Sequence, residues 1–317
     1  MPYMIALSLP NISALLNALP GAFAQGLIWG IMAIGVYITF RILDIADLTV
    51  DGSMCTGGAV CIMMMLSGHN VWVSMLVATL AGMITGLVTG LFHTFLGIPA
   101  ILAGILTQLS LWSVNLKIMG KSNQAINVDK FDLLVSLRFL KNIAVYKNTL
   151  VVVTVFILVV VGILYWFFGT EMGSSVRATG CNGNMARAQG INTDFNKVLG
   201  LMISNGLVAL SGALLTQYQG FADINMGRGA IVIGLAAVII GEGVFGKIFH
   251  NFGLKLIAIA IGSIIYYLVY QFIIWLGVDT DLLKLLSALL VAVCLGIPHL
   301  KSKYFSKPVK RGGSENA

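Results

Sequence analysis

Ionisable and amide side chains are scarce in the apolar stretches of this chain, so the few present are informative. Asp47 and Asp51 stand four residues apart with Thr49 and Ser53 close by, a spacing that puts both carboxylates on one helical face. Gln108 and Asn115 lie seven apart on one face of another apolar run. Asn205 sits in the middle of a third run with Gln217 near its end, and Glu242 closes a fourth. Such groups are costly in hydrocarbon and usually face a bundle interior or a water-filled path. There, carboxylates and amides can hold a polar solute by charge and hydrogen bonds. They can equally tie helices together, and Asp51, just before Gly52-Ser53, can simply cap the helix that follows. On polarity, Asp47, Thr49, Asp51, Asn205 and Gln217 are the candidate lining of a path.

Covalent and metal chemistry find little support. His69, His93, His250 and His299 are isolated, without HxxxH or HExxH spacing, and Cys55, Cys61, Cys181 and Cys294 form no CxxC pair, so no catalytic or metal-ligating residue is assigned. Gly241-Glu242-Gly243-Val244-Phe245-Gly246 matches GxGxxG but ends an apolar run instead of joining a strand to a helix. Gly120-Lys121-Ser122 resembles the end of a phosphate loop, yet Asn115 stands where the first glycine is required. The chain carries no ATP site of its own by this reading.

The elements that position these residues follow from composition. Hydrophobic residues make up 58% of the 317 and charged residues 10%, against roughly a quarter charged in a soluble domain. Mean hydropathy is +0.94. The chain is therefore an all-α polytopic membrane protein. Runs of spanning length fall at about 21–40, 50–67, 71–95, 98–116, 149–169, 195–219, 229–245, 252–275 and 281–298, giving about nine transmembrane helices. Residues 1–20, with Pro2, Pro10 and Pro20, read as an N-terminal surface segment, and 21–298 as the membrane domain. Gly26 with Gly30, and Gly82, Gly86 and Gly90, recur every four residues and make flat faces for close helix packing.

The net charge of +7 does not indicate nucleic acid. Lys301, Lys303, Lys307, Lys310 and Arg311 form a basic tail over 299–317, which the positive-inside rule places in the cytoplasm. Counting back from it puts the polar segment 170–194 inside and the loop 117–148 outside. Within the inner segment Asn182 can cap a short helix over Asn184–Gln189 that Gly190 stops, and Arg177 and Arg187 supply charge. It can serve as a grip for a cytoplasmic partner or be a solvated loop.

Two stretches look alike: Ala46-Asp47-Leu48-Thr49-Val50 and Ala222-Asp223-Ile224-Asn225-Met226, each ahead of a Gly-rich apolar segment. With the topology above they begin on opposite sides, the pattern of an inverted repeat.

Gly173, Ala178, Gly180, Asn182 and Gly190-Ile191-Asn192, followed by Leu210-Ser211-Gly212-Ala213, Gly227 to Gly229 and Gly241-Glu242-Gly243, resemble the permeases of branched-chain amino acid and ribose-type ABC importers over about residues 20–300. The segment from Phe40 through Ser53 is similar to a subgroup paired with tryptophan/tyrosine-type binding proteins, whereas Asn184 and Met185 replace the small alanines usual in the coupling loop. The resemblance implies a type II-like permease in a bacterial inner membrane, working as a homodimer or with a paralogous permease. It would be fed by an extracytoplasmic substrate-binding protein and driven by separate ABC ATPase subunits that hold the ATP and Mg. The ATPase-coupling loop would comprise Arg177, Ala178, Gly180, Asn182, Ala186, Arg187, Gly190 and Asn192. The expected cargo is a small nutrient, an amino acid with an aromatic or other apolar side chain; a sugar or nucleoside importer is the alternative within the class. An ion-coupled carrier dependent on Asp47, Asp51 or Glu242 is the alternative outside it, and a non-transporting scaffold a further one.

Overall fold

The computed structural model describes residues 12–127, 131, 133–140, 148–246, 248–249 and 251–277, with separate positions between 282 and 296. The basic tail 299–317 and most of the 281–298 run lie outside the described residues. Helices come in the order α1 (Ile12–Tyr37, continued by a π-helical turn Ile38–Ile42), α2 (Val50–Leu66), α3 (Val71–Thr94), α4 (Ala100–Met119), α5 (Thr149–Gly169), α6 (Glu171–Cys181), α7 (Gly183–Ala188), α8 (Thr193–Gln219), α9 (Ala230–Phe245) and α10 (Phe252–Trp275). Two short strands, β1 (Asn123–Ala125) and β2 (Phe221–Asp223), pair antiparallel.

Among the described residues six helices are long and apolar enough to cross a membrane: α1 with its π turn, α3, α4, α5, α8 and α10. Of the nine expected spans, two form shorter helices and the last, 281–298, lies mostly outside the described residues. The runs 50–67 and 229–245 do form α2 and α9, but at 17 and 16 residues each is about 25 Å long, short of a ~30 Å hydrocarbon core. An apolar run reports burial in a nonpolar setting, not where a helix starts. The N-terminal side differs too, because α1 already begins at Ile12 and contains Pro20. The fixed φ of proline suits a helix, and the single lost backbone bond is tolerated in a transmembrane setting.

Asparagine starts several helices by the same local bond. Asn70 accepts from the Trp72 amide, Asn148 from Leu150, and Asn192 from both Asp194 and Phe195. At the other end of α8, Gly220 adopts φ 80, a left-handed geometry that side-chain-bearing residues resist, and turns the chain into β2.

The long helices α1 and α8 form the centre. They run antiparallel: Ser204 Oγ donates to the Gly35 carbonyl at 2.7 Å and Ser211 Oγ to the Ile28 carbonyl at 2.8 Å. Helix α1 packs most extensively against α10, and α8 against α3. The glycine spacings explain the closeness of both contacts. A Cβ on Gly26 would lie 2.7 Å from Ile264 Cα, and Cβ atoms on Gly82 and Gly86 would strike the α8 backbone at Asn205 and Leu201.

The short helices meet at their beginnings. Helix α2 runs alongside α8 towards the β1–β2 end, with Ser53 against Asn205 and Gly57 against Ala209. Helix α9 runs alongside α1 the opposite way, with Gly234 against Met32 and Val36, and Glu242 paired to Arg41 at 3.2 Å. Both therefore start inside the bundle and diverge from a shared junction. Each is preceded by one of the similar sequences, and each of those forms the same turn. The Asp47 carboxylate accepts from the Thr49 amide at 2.9 Å, and that of Asp223 from the Asn225 amide at 2.7 Å.

Candidate functional site

At the junction, the structure brings Asp47, Thr49 and Asn205 into one buried network. Asn205 Nδ2 donates to Asp47 Oδ2 at 2.7 Å and to the Leu201 carbonyl at 3.0 Å, while its Oδ1 accepts from Ser53 Oγ at 2.6 Å. Ser53 Oγ also meets Thr85 Oγ1 at 2.7 Å. Thr49 Oγ1 meets Thr89 Oγ1 at 2.7 Å, and Thr89 donates to Thr107 at 2.9 Å. The network ties α2, α3, α4 and α8 together, and all seven side chains are buried. Buried polar groups are expensive unless bonded, so the set behaves as a unit: losing one partner leaves another unsatisfied, at about 1–3 kcal/mol. The threonines of α3 and α4 were missed from sequence because an isolated threonine in an apolar helix reads as a small helix-facing residue; the available signal was the four-residue step from Thr85 to Thr89.

Asp51 and Gln217 are placed elsewhere. Asp51 does not cap α2, on which it lies. Its carboxylate accepts from the Gly229 amide at 2.9 Å and the Ile231 amide at 3.1 Å, so it caps α9 from across the junction. A carboxylate there satisfies free N–H groups and opposes the positive end of the α9 dipole. Cys55, one turn on, supports the same turn: its Sγ donates to the Ile224 carbonyl and accepts from the Gly227 amide, each at 3.2 Å. Gln217, near the β1–β2 end, is fully buried, accepting from the Leu134 amide at 3.3 Å and donating to Cys61 Sγ at 3.7 Å.

The second region is the segment after α5. Thr170 caps α6 by accepting from the Gly173 amide at 3.3 Å. Gly180 lets α6 sit against the π turn of α1, where a Cβ would strike the Ile42 carbonyl; Ala178 beside it is half-buried. Asn182 caps α7 by accepting from the Met185 amide at 3.1 Å, and Gly190 with φ 81 turns the chain away. Asn192 then starts α8. Ala186 is buried beneath α7, whereas Asn184, Met185 and Arg187 are exposed. Asn196 on α8 holds α6 through Thr179 Oγ1 at 3.0 Å. The outcome is a six-residue helix locked at both ends and presenting its outer side.

The two arginines there differ. Arg187 lies on that outer side, with Nε donating to Thr193 Oγ1 at 2.7 Å and Asp194 3.8 Å away. Arg177 is engaged within the chain. Its Nη2 donates to the Phe168 carbonyl at 2.6 Å and its guanidinium lies 5.8 Å from the Phe252 ring centroid. A cation at the last turn of α5 suits the negative end of that helix, and the ring face adds a cation–π contact. A cavity of about 600 Å³ opens beside it, lined among others by Arg41 and Lys255.

A family model described as branched-chain amino acid transport system / permease component matches residues 19–295. The chain belongs to this permease family. It is a multi-pass membrane protein and an ABC importer permease of type II. The permease is 39% identical over 285 residues to a tyrosine transport system permease protein of Clostridioides difficile, covering 90% of this chain and 92% of that one. It is 27% identical over 270 residues to the fructose import permease protein FruF of Bifidobacterium longum, covering 84% and 73%. Its fold matches a chain of PsaBC from Streptococcus pneumoniae, solved in complex with Fab, with a TM-score of 0.53 and 16% identity over 92% of this permease and 100% of that chain.

Proposed function

We propose that this permease is the membrane subunit of an importer for amino acids with aromatic or other apolar side chains, driven by a separate ATPase. The observation that carries the coupling reading is α7, a helix locked by Asn182 and Gly190 that turns Asn184, Met185 and Arg187 outward. It follows directly on α6, which is held to the π turn of α1 at Gly180 and to α8 through Thr179 and Asn196, so a push on α7 from a docked partner can pass through α6 into both central helices. Arg187 is the charge offered to an acidic surface on that partner. Arg177 contributes by fixing α6 to α5. ATP and Mg reside on the ATPase, substrate arrives from an external binding protein, and a second permease copy completes the path.

The amino-acid cargo is supported by the tyrosine transport relative; the fructose relative is more distant and keeps a sugar as the competing cargo. With the basic tail in the cytoplasm, the α7 end faces inward in a bacterial inner membrane. The antiparallel α1 and α8, each followed by an aspartate turn and a short helix, support an inverted repeat whose halves rock about the junction. Asp47, Thr49 and Asn205 then act as the joint between α2, α3 and α8, and Asp51 as the joint between α2 and α9. The test is purification in lipid nanodiscs with its partners. An ATPase is expected to copurify with the wild type and to be lost or slowed at least about tenfold with Arg187→Glu. Uptake that follows an ion gradient with no ATPase present would overturn the reading.

A further inference from the structure

Beside the junction, between the start of α2, the middle of α4 and the turn leading into α9, lies a cavity of about 200 Å³. Asp51, Cys55, Gln108, Trp112, Asn115 and Arg228 line it. Asn115 is 1% exposed; its Nδ2 reaches the Gly52 carbonyl at 3.4 Å, but its Oδ1 has no partner. A buried amide oxygen without a partner is costly to a fold, so the cavity is suited to receive a hydrogen-bond donor. Arg228 is exposed and makes no ion pair among the described residues. It precedes α9 by two residues, at the turn that Asp51 of α2 holds through the Gly229 amide, where the two short helices begin beside each other in an apolar bundle. A cation there is tolerated only where it faces water or a polar group. The outward side of α4 agrees, since Ser110, Ser113 and Lys117 are exposed on it along with Trp112.

We propose that this cavity is a transient binding site for a zwitterionic α-amino acid, its carboxylate on Arg228 and its ammonium between Asp51 and Asn115 Oδ1. The planar fork of arginine matches a carboxylate by two parallel bonds, and Asp51 spends one contact per oxygen on α9 amides, leaving lone pairs for an ammonium. Trp112 supplies an apolar wall for the side chain. A neutral sugar would leave the two charges unanswered. Occupancy also bears on the fold, because Asp51 and Arg228 flank the start of α9: a zwitterion bridging them would bear on the two short helices where they diverge.

The inference rests on the importer reading, and its test keeps the two apart. The complete complex of permease, ATPase and binding protein is placed in proteoliposomes, and uptake of labelled L-tyrosine, L-leucine and fructose is measured per ATP hydrolysed. Arg228→Gln should lower amino-acid uptake per ATP by at least about tenfold, and Arg228→Lys, which keeps the charge, should recover much of it. An unchanged ratio in Arg228→Gln overturns the site, as does wild-type uptake of fructose in place of both amino acids. Recovery of the ATPase with Arg228→Gln at an unchanged ratio leaves the importer reading standing, whereas wild-type uptake of fructose alone overturns the amino-acid cargo together with the site.

Discussion

The turns at Asp47 and Asp223 share a local sequence and the same carboxylate-to-amide bond two residues on, yet they occupy opposite environments. The Asp47 turn is sealed inside the bundle, 2% exposed, with its second oxygen held by Asn205 from α8. The Asp223 turn lies at the β1–β2 end, where Asn123 Nδ2 donates to its second oxygen at 3.2 Å in an exposed setting. One motif thus makes a core joint ahead of α2 and a surface clasp ahead of α9. A hydrogen bond that competes with water contributes little, whereas the same bond in a dry interior is costly to lose.

The comparison can be broken at its strong side first. Asn205→Leu removes the donor to Asp47 and the acceptor for Ser53, and should destabilise the permease by about 3 kcal/mol or more, read as a large fall in its thermal unfolding temperature in nanodiscs. Pairing it with Asp47→Leu should return part of that loss, because two apolar partners leave fewer orphans; a simple sum of the two effects would contradict a shared network. Asp51→Ala tests the junction between α2 and α9. It frees two amides at the start of α9 and should cost about 1–2 kcal/mol, with faster hydrogen exchange appearing at Gly229 and Ile231 before the rest of α9. Smallest of all, Asp223→Ala should cost less than about 1 kcal/mol by the same thermal assay. An Asp223 effect equal to that of Asn205 would mean that the two turns are equivalent after all.

Parts of the site were readable from the chain because they rest on neighbours in sequence. Asn182 and Gly190 bound α7 through bonds spanning three or four residues, and the glycines at intervals of four announced the close faces that α3 and α8 share. Polarity drew attention to Asp47, Thr49 and Asn205, but nothing along the chain indicated that they bond one another. Arg228 gave no signal at all, since a lone arginine after Gly227 reads as a loop residue. The expected Asp51 cap illustrates the limit: capping chemistry was foreseen from the residue type, and the helix it serves was not.

Composition and periodicity by themselves determined a helical membrane bundle, its close-packed faces and a short capped helix between two long ones, because hydrophobicity, helical spacing and capping act over a few residues. Tertiary structure alone decided which aspartate is buried, that α2 and α9 begin inside the bundle, and that Asp51 closes a helix 178 positions further along the chain. Those outcomes depend on which backbone amides the folded chain brings opposite a given oxygen. In a dry interior each such group must find a partner wherever the packing supplies one.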